Sequence, residues 1–284
     1  MLIANPIYDV VFKRLMENDR VAKFFISTLL NQSVASVEFK PREFTYTNTL
    51  AGIAVYRLDF VAFILLEDGS TKKILIEIQK AKNRIDLMRF RNYLAEQYKK
   101  EDLVAGEKEI LPITTIYILG FNIPEITSEC IHVERQYRDM VRDEIVPKRS
   151  EFIEKLTHDS YVVQVNRITD RYKTRLDQLL SVFEQSNFID ESEVIKEYSH
   201  PVTAEDLQLM TDILHHSGTD PETRKEIEKE VEAWRSVNAM FEDKEKEYLK
   251  ALDEKDKALD EKDKLIEELT RRLEGNDSPT RDGH

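Results

Sequence analysis

Apolar residues at Ile7, Val10, Val11 and Leu15 recur at helical spacing, so the chain opens on an amphipathic helix, with Asn5 as N-cap and Pro6 at the first helical position. Asn18-Asp19 breaks or caps this pattern, and Val21 to Leu30 forms a second helix that ends near Asn31. Residues 36–48 read as an extended segment, placed at a sheet edge because Pro41 has no N–H to give a central ladder. Two longer apolar runs follow, Val55 to Leu66 and Lys73 to Gln79, joined by the turn Glu67-Asp68-Gly69. The first run is apolar on both faces, the pattern of a strand covered on both sides. A helix from about Arg84 to Lys100 comes next. Leu87, Phe90, Leu94 and Tyr98 are its apolar stripe, and Arg89, Tyr93 and Gln97 form a second stripe at four-residue spacing. After a loop containing Gly106, Pro112 to Gly120 is a β-branched strand. Strand, helix and strand in series imply a right-handed parallel crossover. The N-terminal unit therefore reads αβββαβ: an α/β (α+β) fold with a mixed central sheet flanked by helices.

Past residue 121 the periodicity weakens. Cys130 to Arg138 and Tyr161 to Asn166 read as further strands, Tyr172 to Phe183 as a helix, and Thr203 to His215 as another capped by Thr203. Asp220-Pro221 opens a helical stretch to about Leu273, which would span about 75–80 Å if continuous. Within it, Leu252, Leu259, Ile266 and Leu273 recur every seventh position, while Lys255 and Lys262 occupy the second seam position until Leu269. A solvated, charge-laced single helix and a helix pair, hence a homodimer, both fit this pattern. The implied organisation is a core over residues 1–170, a helical region over 171–220, the long charged helix over 221–273 and a disordered tail over 274–284.

The central hairpin carries the candidate chemistry. Asp59 interrupts its first apolar run; Glu77 and Gln79 interrupt the second. An unpartnered buried carboxylate is costly, so these acids sit in a cleft, hold a metal, or are edge-exposed or salt-bridged. Loop length separates the arrangements. A two-residue Asp68-Gly69 turn pairs Asp59 with Ile78 and sends Glu77 and Gln79 to the opposite face. A three-residue loop with Gly69 left-handed pairs Asp59 with Glu77, so that Arg57, Asp59, Glu77 and Gln79 point the same way. The odd-length loop, or an equivalent bulge, is the expectation. Two acids on neighbouring strands with a third oxygen donor make a hard-cation site suited to Mg²⁺ or Mn²⁺.

Charge changes the picture by its distribution. The net charge is −13, yet residues 1–120 carry 17 Lys and Arg against 15 Asp and Glu, so the acidity belongs to the later part of the chain. Lys80, Lys82, Arg84, Arg89 and Arg91 cluster just after the hairpin acids and suit a phosphate backbone. The single cysteine, Cys130, excludes an internal disulfide and fits a reducing compartment. No signal peptide is read at MLIANP, and no run of about 18 apolar residues suggests a membrane span. The six histidines lack metal-ligand spacing, and the seven glycines include no phosphate-cradling loop.

Four segments, NPIYDVVFKRLM, RLDF, LIEIQK and RFRNYLAEQY, together resemble the PD-(D/E)XK nuclease superfamily, and more closely its nuclease family transposases, the recombination-promoting nuclease group. The resemblance covers roughly residues 4–165. It implies a restriction-endonuclease-like core and metal-dependent DNA endonuclease activity serving recombination or transposition, in a bacterial-type cytoplasm and at the nucleoid when acting. Carried over by residue, it makes Asp59 and Glu77 the metal-binding acids and puts Gln79 where the superfamily usually has Lys. It matches Asp9 to an acidic position on the first helix, and Tyr93 to the helix after the hairpin. Lys80, in a regular strand, points away from the site, which leaves Arg57 or Arg89 to supply the missing charge. The alternative is a catalytically degenerate nuclease fold acting as a protein-interaction or DNA-binding module through its C-terminal helix.

Overall fold

The computed structural model describes residues 1–48, 53–66, 69–79, 84–104 and 106–276. In parts of β2, β3, β4, α3 and α7 defined below, Asp59, Glu77 and Gln79 among them, the description extends to the backbone alone. Strand β1 (Leu2–Ala4) precedes helices α1 (Asp9–Met16) and α2 (Asp19–Leu30). Three long strands follow, β2 (Val34–Asn48), β3 (Ile53–Leu66) and β4 (Thr71–Gln79), and then α3 (Arg84–Tyr98). A small hairpin, β5 (Asp102–Val104) with β6 (Glu107–Glu109), leads into β7 (Ile113–Leu119). Next come β8 (Cys130–Val133), the hairpin β9 (Tyr137–Asp139) and β10 (Glu144–Val146), α4 (Glu151–Leu156) and β11 (His158–Gln164). Helix α5 (Arg175–Ser181), strand β12 (Ile195–Glu197), α6 (Glu205–Thr219) and α7 (Pro221–Asn276) complete the chain.

Six of these strands form one mixed sheet in the order β2-β3-β4-β7-β11-β8. Strands β2, β3 and β4 are antiparallel neighbours, and β4 and β7 are parallel across the α3 crossover. The strand carrying Pro41 lies at the sheet edge, where a missing N–H is tolerated. Strand β11 adds in parallel to β7, and β8 closes the other edge in antiparallel fashion.

The two faces of the sheet are covered differently. On one face, Ala62, Ile64, Ile74, Ile76, Ile116, Ile118 and Val163 join a single cluster with residues of α1, α2, α5 and α6. Its centre is aromatic. The Phe12 and Phe25 rings meet edge-on at 5.4 Å, and Phe183 packs 5.8 Å from Phe25. On the other face a smaller cluster, Leu75 and Ile113 with Phe63, packs against Leu94 of α3.

Local chemistry explains most boundaries and corrects several expectations. Asn18 caps α2, its side-chain oxygen accepting from the N–H groups of Arg20 and Val21, and Asn31 closes the helix in the left-handed region at φ 49°. Asn5 is not a helix cap. Tyr8 holds that position in α1 without a side-chain cap bond. Asn5 is instead buried. Its amide donates to Gln185 Oε1 and the Glu193 carbonyl, each at 2.9 Å, while its Oδ1 accepts from the Ile7 N–H at 3.2 Å. The helix starts later because residues 2–4 are a strand paired with β12. Thr203 is not the cap of α6 either, since Ala204 occupies that position. Helix α5 has the capping box its sequence allows, between Thr174 and Asp177. Gly218 of α6 is required by proximity: a Cβ there would lie 3.2 Å from the Ala4 nitrogen and 3.0 Å from Ile195 Cδ1.

The chain divides into two compact units, Met1–Val231 and Glu232–His284. Residues 171–220 belong to the first, with Leu179, Phe183, Leu207 and Leu214 in its main cluster. The second contains the greater part of α7, which runs through Asn276, three residues beyond the expected end at Leu273. The remainder of the expected tail, 277–284, lies outside the described residues.

Candidate functional site

The geometry of the site begins at the β3–β4 loop. The Leu66 N–H donates to the Ser70 carbonyl at 2.9 Å, and the Gly69 N–H donates to Leu66 at 3.0 Å. Gly69 has φ +85°, a conformation that costs glycine nothing. Three residues therefore separate the closing pair, the odd number that a same-face arrangement of the acids requires. The ladder runs from Leu65 opposite Thr71 to Phe60 opposite Ile76. The paired register ends there, and Asp59 and Glu77 are the next residues along β3 and β4. On the flanking strands, Asp59 pairs with Arg42 of β2, Glu77 with Tyr117 of β7, and Gln79 with Leu119. Strand alternation thus gives Asp59, Glu77 and Tyr117 the same parity on three adjacent strands, shared by Arg57 and Gln79.

This parity is shared with Phe63, Lys73 and Leu75, so these positions belong to the α3 face. The Phe90 ring of α3 lies 4.5 Å from the Tyr117 ring. One turn later Leu94 packs on Leu75 and Ile113, and at the helix end the Tyr98 hydroxyl meets His158 Nδ1 at 2.9 Å. Helix α3 thus runs antiparallel to β7, and its first half, with the positions of Arg84 and Arg89, lies at the Glu77–Tyr117 end. Arg91 is exposed. Lys80 and Lys82 lie outside the described residues, as do the side chains of Arg57, Arg84, Arg89 and Tyr93. Tyr117 and Phe90 were not legible as site neighbours, because only the parallel register brings Tyr117 beside Glu77.

Below the acidic positions, the same face carries a buried ion pair. Lys73 Nζ lies 2.5 Å from Asp102 Oδ2, with side-chain exposures of 1% and 10%. This pair ties the β5–β6 hairpin to the sheet. Burial lowers the His158 pKa, helped by the Arg135 charge and opposed by Asp159; burial raises that of the Tyr98 hydroxyl. The Tyr98–His158 contact is accordingly a neutral hydrogen bond at neutral pH.

Asp9 is placed elsewhere. It is buried in the first turn of α1, the helix whose Val11, Phe12 and Leu15 pack on the opposite sheet face. The N–H groups of Asp9 and Val10 donate to the two carboxylate oxygens of Glu230 at 3.0 and 3.2 Å. A carboxylate from the start of α7 therefore caps α1, a link across 221 residues that no local motif announces.

A cleft of about 660 Å³ opens where β4, β7 and β11 begin, at the other end of those strands from Gln79 and Leu119. Its lining includes Lys72, His132, Glu134, Arg149, Glu154 and Asp159. Arg149 is already paired with Glu134 at 2.6 Å, and Glu134, Glu154 and Asp159 outnumber Lys72 and Arg149 in the lining, so this cleft does not favour an anion.

Asp59, Glu77 and Gln79 supply oxygen donors at neighbouring backbone positions, the donor chemistry a hard divalent cation takes. Among the described residues, whose side chains exclude these three, no group of three or more His, Cys, Asp or Glu forms a metal cluster. No helix among the described residues is long and apolar enough to cross a membrane. No protein-family model, curated protein or solved structure matches the chain.

Proposed function

We propose that this protein is a divalent-metal-dependent endonuclease that hydrolyses DNA phosphodiester bonds, of the PD-(D/E)XK kind and serving recombination or transposition. What supports the reading is the three-residue β3–β4 loop and strand alternation, which give Asp59, Glu77 and Gln79 the same parity just beyond the last pair of the ladder, Phe60 with Ile76. Asp59 and Glu77 hold Mg²⁺ or Mn²⁺, and the Gln79 carbonyl adds a third oxygen. Bound there, the cation polarises the scissile phosphate and acidifies an attacking water. Gln79 brings no charge, so a basic residue of the same parity or of the α3 N-terminal half, Arg57 or Arg89, faces the developing negative charge. The 80–91 segment with Arg91 grips the backbone without reading sequence. Asp9, on the opposite face, has a role in the α1–α7 junction in this reading.

The experiment is a plasmid-nicking assay with Mg²⁺ or Mn²⁺. Asp59→Ala and Glu77→Ala are each expected to lower cleavage by at least about a hundredfold, the equivalent of about 2.7 kcal/mol of lost transition-state stabilisation. Cleavage unchanged in both variants would reject the site. A second reading, a non-catalytic interaction module on the same fold, is favoured by the uncharged Gln79 and the net charge of −13. It predicts no nicking by the wild type with either metal.

A further inference from the structure

The exposed stripe of α7 in the second unit has a chemistry of its own. Leu252, Leu259, Ile266 and Leu269 are 45%, 62%, 59% and 50% exposed. All four occupy seam positions of one seven-residue repeat, and Lys255 and Lys262 fill the two seam positions between the leucines and Ile266. Apolar side chains this open, repeated at one phase of a continuous helix, mark a surface built for another helix. The seam lysines decide which one. In a parallel, in-register pair, Lys255 would face Lys255 and Lys262 would face Lys262, two consecutive like-charge layers. An antiparallel copy removes both clashes. If Leu252 meets Leu269 of the second copy, the same register sets Lys255 against Ile266 and Leu259 against Lys262. Every lysine stem then lies along an apolar side chain with its ammonium directed outward. The edge on that side carries Asp256 and Asp263 from each helix, which match the four ammonium groups in number and sign. The other edge carries Ala251, Ala258 and Leu265, and the register sets each Ala258 beside Leu265 of the second copy, a small residue against a large one.

We propose that residues 248–273 form an antiparallel coiled coil with a second copy of this chain, in the register that pairs Leu252 with Leu269. The test uses the full chain with Cys130→Ser, to which Leu252→Cys or Leu269→Cys is added. Under mild oxidation, the mixture of the two variants is expected to give a covalent dimer that neither variant gives alone. Self-cross-linking of each variant would show a parallel pair and overturn the proposal, as would the absence of any cross-link. By sedimentation, the unmodified chain is expected to have twice the monomer mass, falling to the monomer mass in Leu259→Lys. Because Leu259 is largely exposed, this variant keeps the far-ultraviolet helical signal of unit 1. A monomeric wild type, or a Leu259→Lys chain that stays dimeric, would equally overturn the assignment.

Discussion

The two faces of the central sheet have been given different work. The face under α1, α2, α5 and α6 is apolar from Val34 to Val163, and Phe12, Phe25 and Phe183 interlock at its centre. The face under α3 carries the smaller of the two described clusters. Among the described residues its apolar contacts are Leu75, Ile113, Phe63 and Leu94, plus the Phe90–Tyr117 ring pair, and residues of the same parity include Lys73, Glu77 and Gln79. The larger described cluster lies on the first face, and the candidate polar positions lie on the face that α3 covers. A carboxylate row on the dense face would have cost several kcal/mol in unpaired charge.

The sharpest way to break this contrast is to remove mass from the dense face. Phe12→Ala is expected to destabilise the protein by about 3–5 kcal/mol, the usual cost of an aromatic cavity, read from the denaturant midpoint at unchanged slope. A loss under about 1 kcal/mol would show that this face does not carry the stability. On the α3 face the equivalent weak point is electrostatic. Asp102→Ala leaves Lys73 buried without its counter-ion and is expected to cost about 3 kcal/mol. Replacing both, as Lys73→Met with Asp102→Ala, should restore much of that loss, since the cost lies in the unpaired charge. A double variant no better than the single would contradict this account.

The smallest effect probes a lysine buried in β12 beside the end of α5. Lys196 is 1% exposed, donates to the Ser181 and Glu184 carbonyls, and is pushed down to about 8 by burial, against 10.5 in an open chain. A lowered lysine pKa means that the unfolded chain binds the proton more tightly. The folded state therefore bears this cost fully below pH 8 and sheds it as pH rises toward 10.5. From pH 7 to 9.5, wild-type stability is expected to gain about 2 kcal/mol relative to Lys196→Met. Parallel pH profiles of the two proteins would mean that Lys196 does not titrate in this range.

The sequence disclosed the αβββαβ order, the edge position of the Pro41 strand and the turn length, because each rests on local chemistry: alternation, a missing N–H, and a glycine at positive φ. Asn18 and Asn31 as helix ends were legible for the same reason. What escaped was non-local. Asn5 looks like a cap by its neighbours, yet its partners are Gln185 and Glu193. The capping of α1 by Glu230 and the Lys73–Asp102 pair are contacts between separate elements, with no periodicity to announce them. The short hairpin β9–β10 and helix α4 carry exposed Met140, Val141 and Phe152, so no amphipathic pattern marked them. At the candidate site, the acids and Gln79 stood out as breaks in apolar strands. Tyr117 did not, being one more apolar residue in a run of them.

Strand β1 carries a consequence for the order of assembly. Leu2 pairs with Glu197 and Ala4 with Ile195, and Gly218 of α6 closes against the Ala4 backbone. The first of these strands to leave the ribosome is thus docked by nearly the last segments of unit 1. At ~5–20 residues per second, translation leaves it waiting ~10–40 s for those partners. The long strands β2, β3 and β4 have local antiparallel neighbours and can pair within that interval. Unit 1 is therefore expected to be sealed at its beginning only when its end has been made, and a ribosome stalled before α6 would hold a sheet whose first strand is still unclaimed.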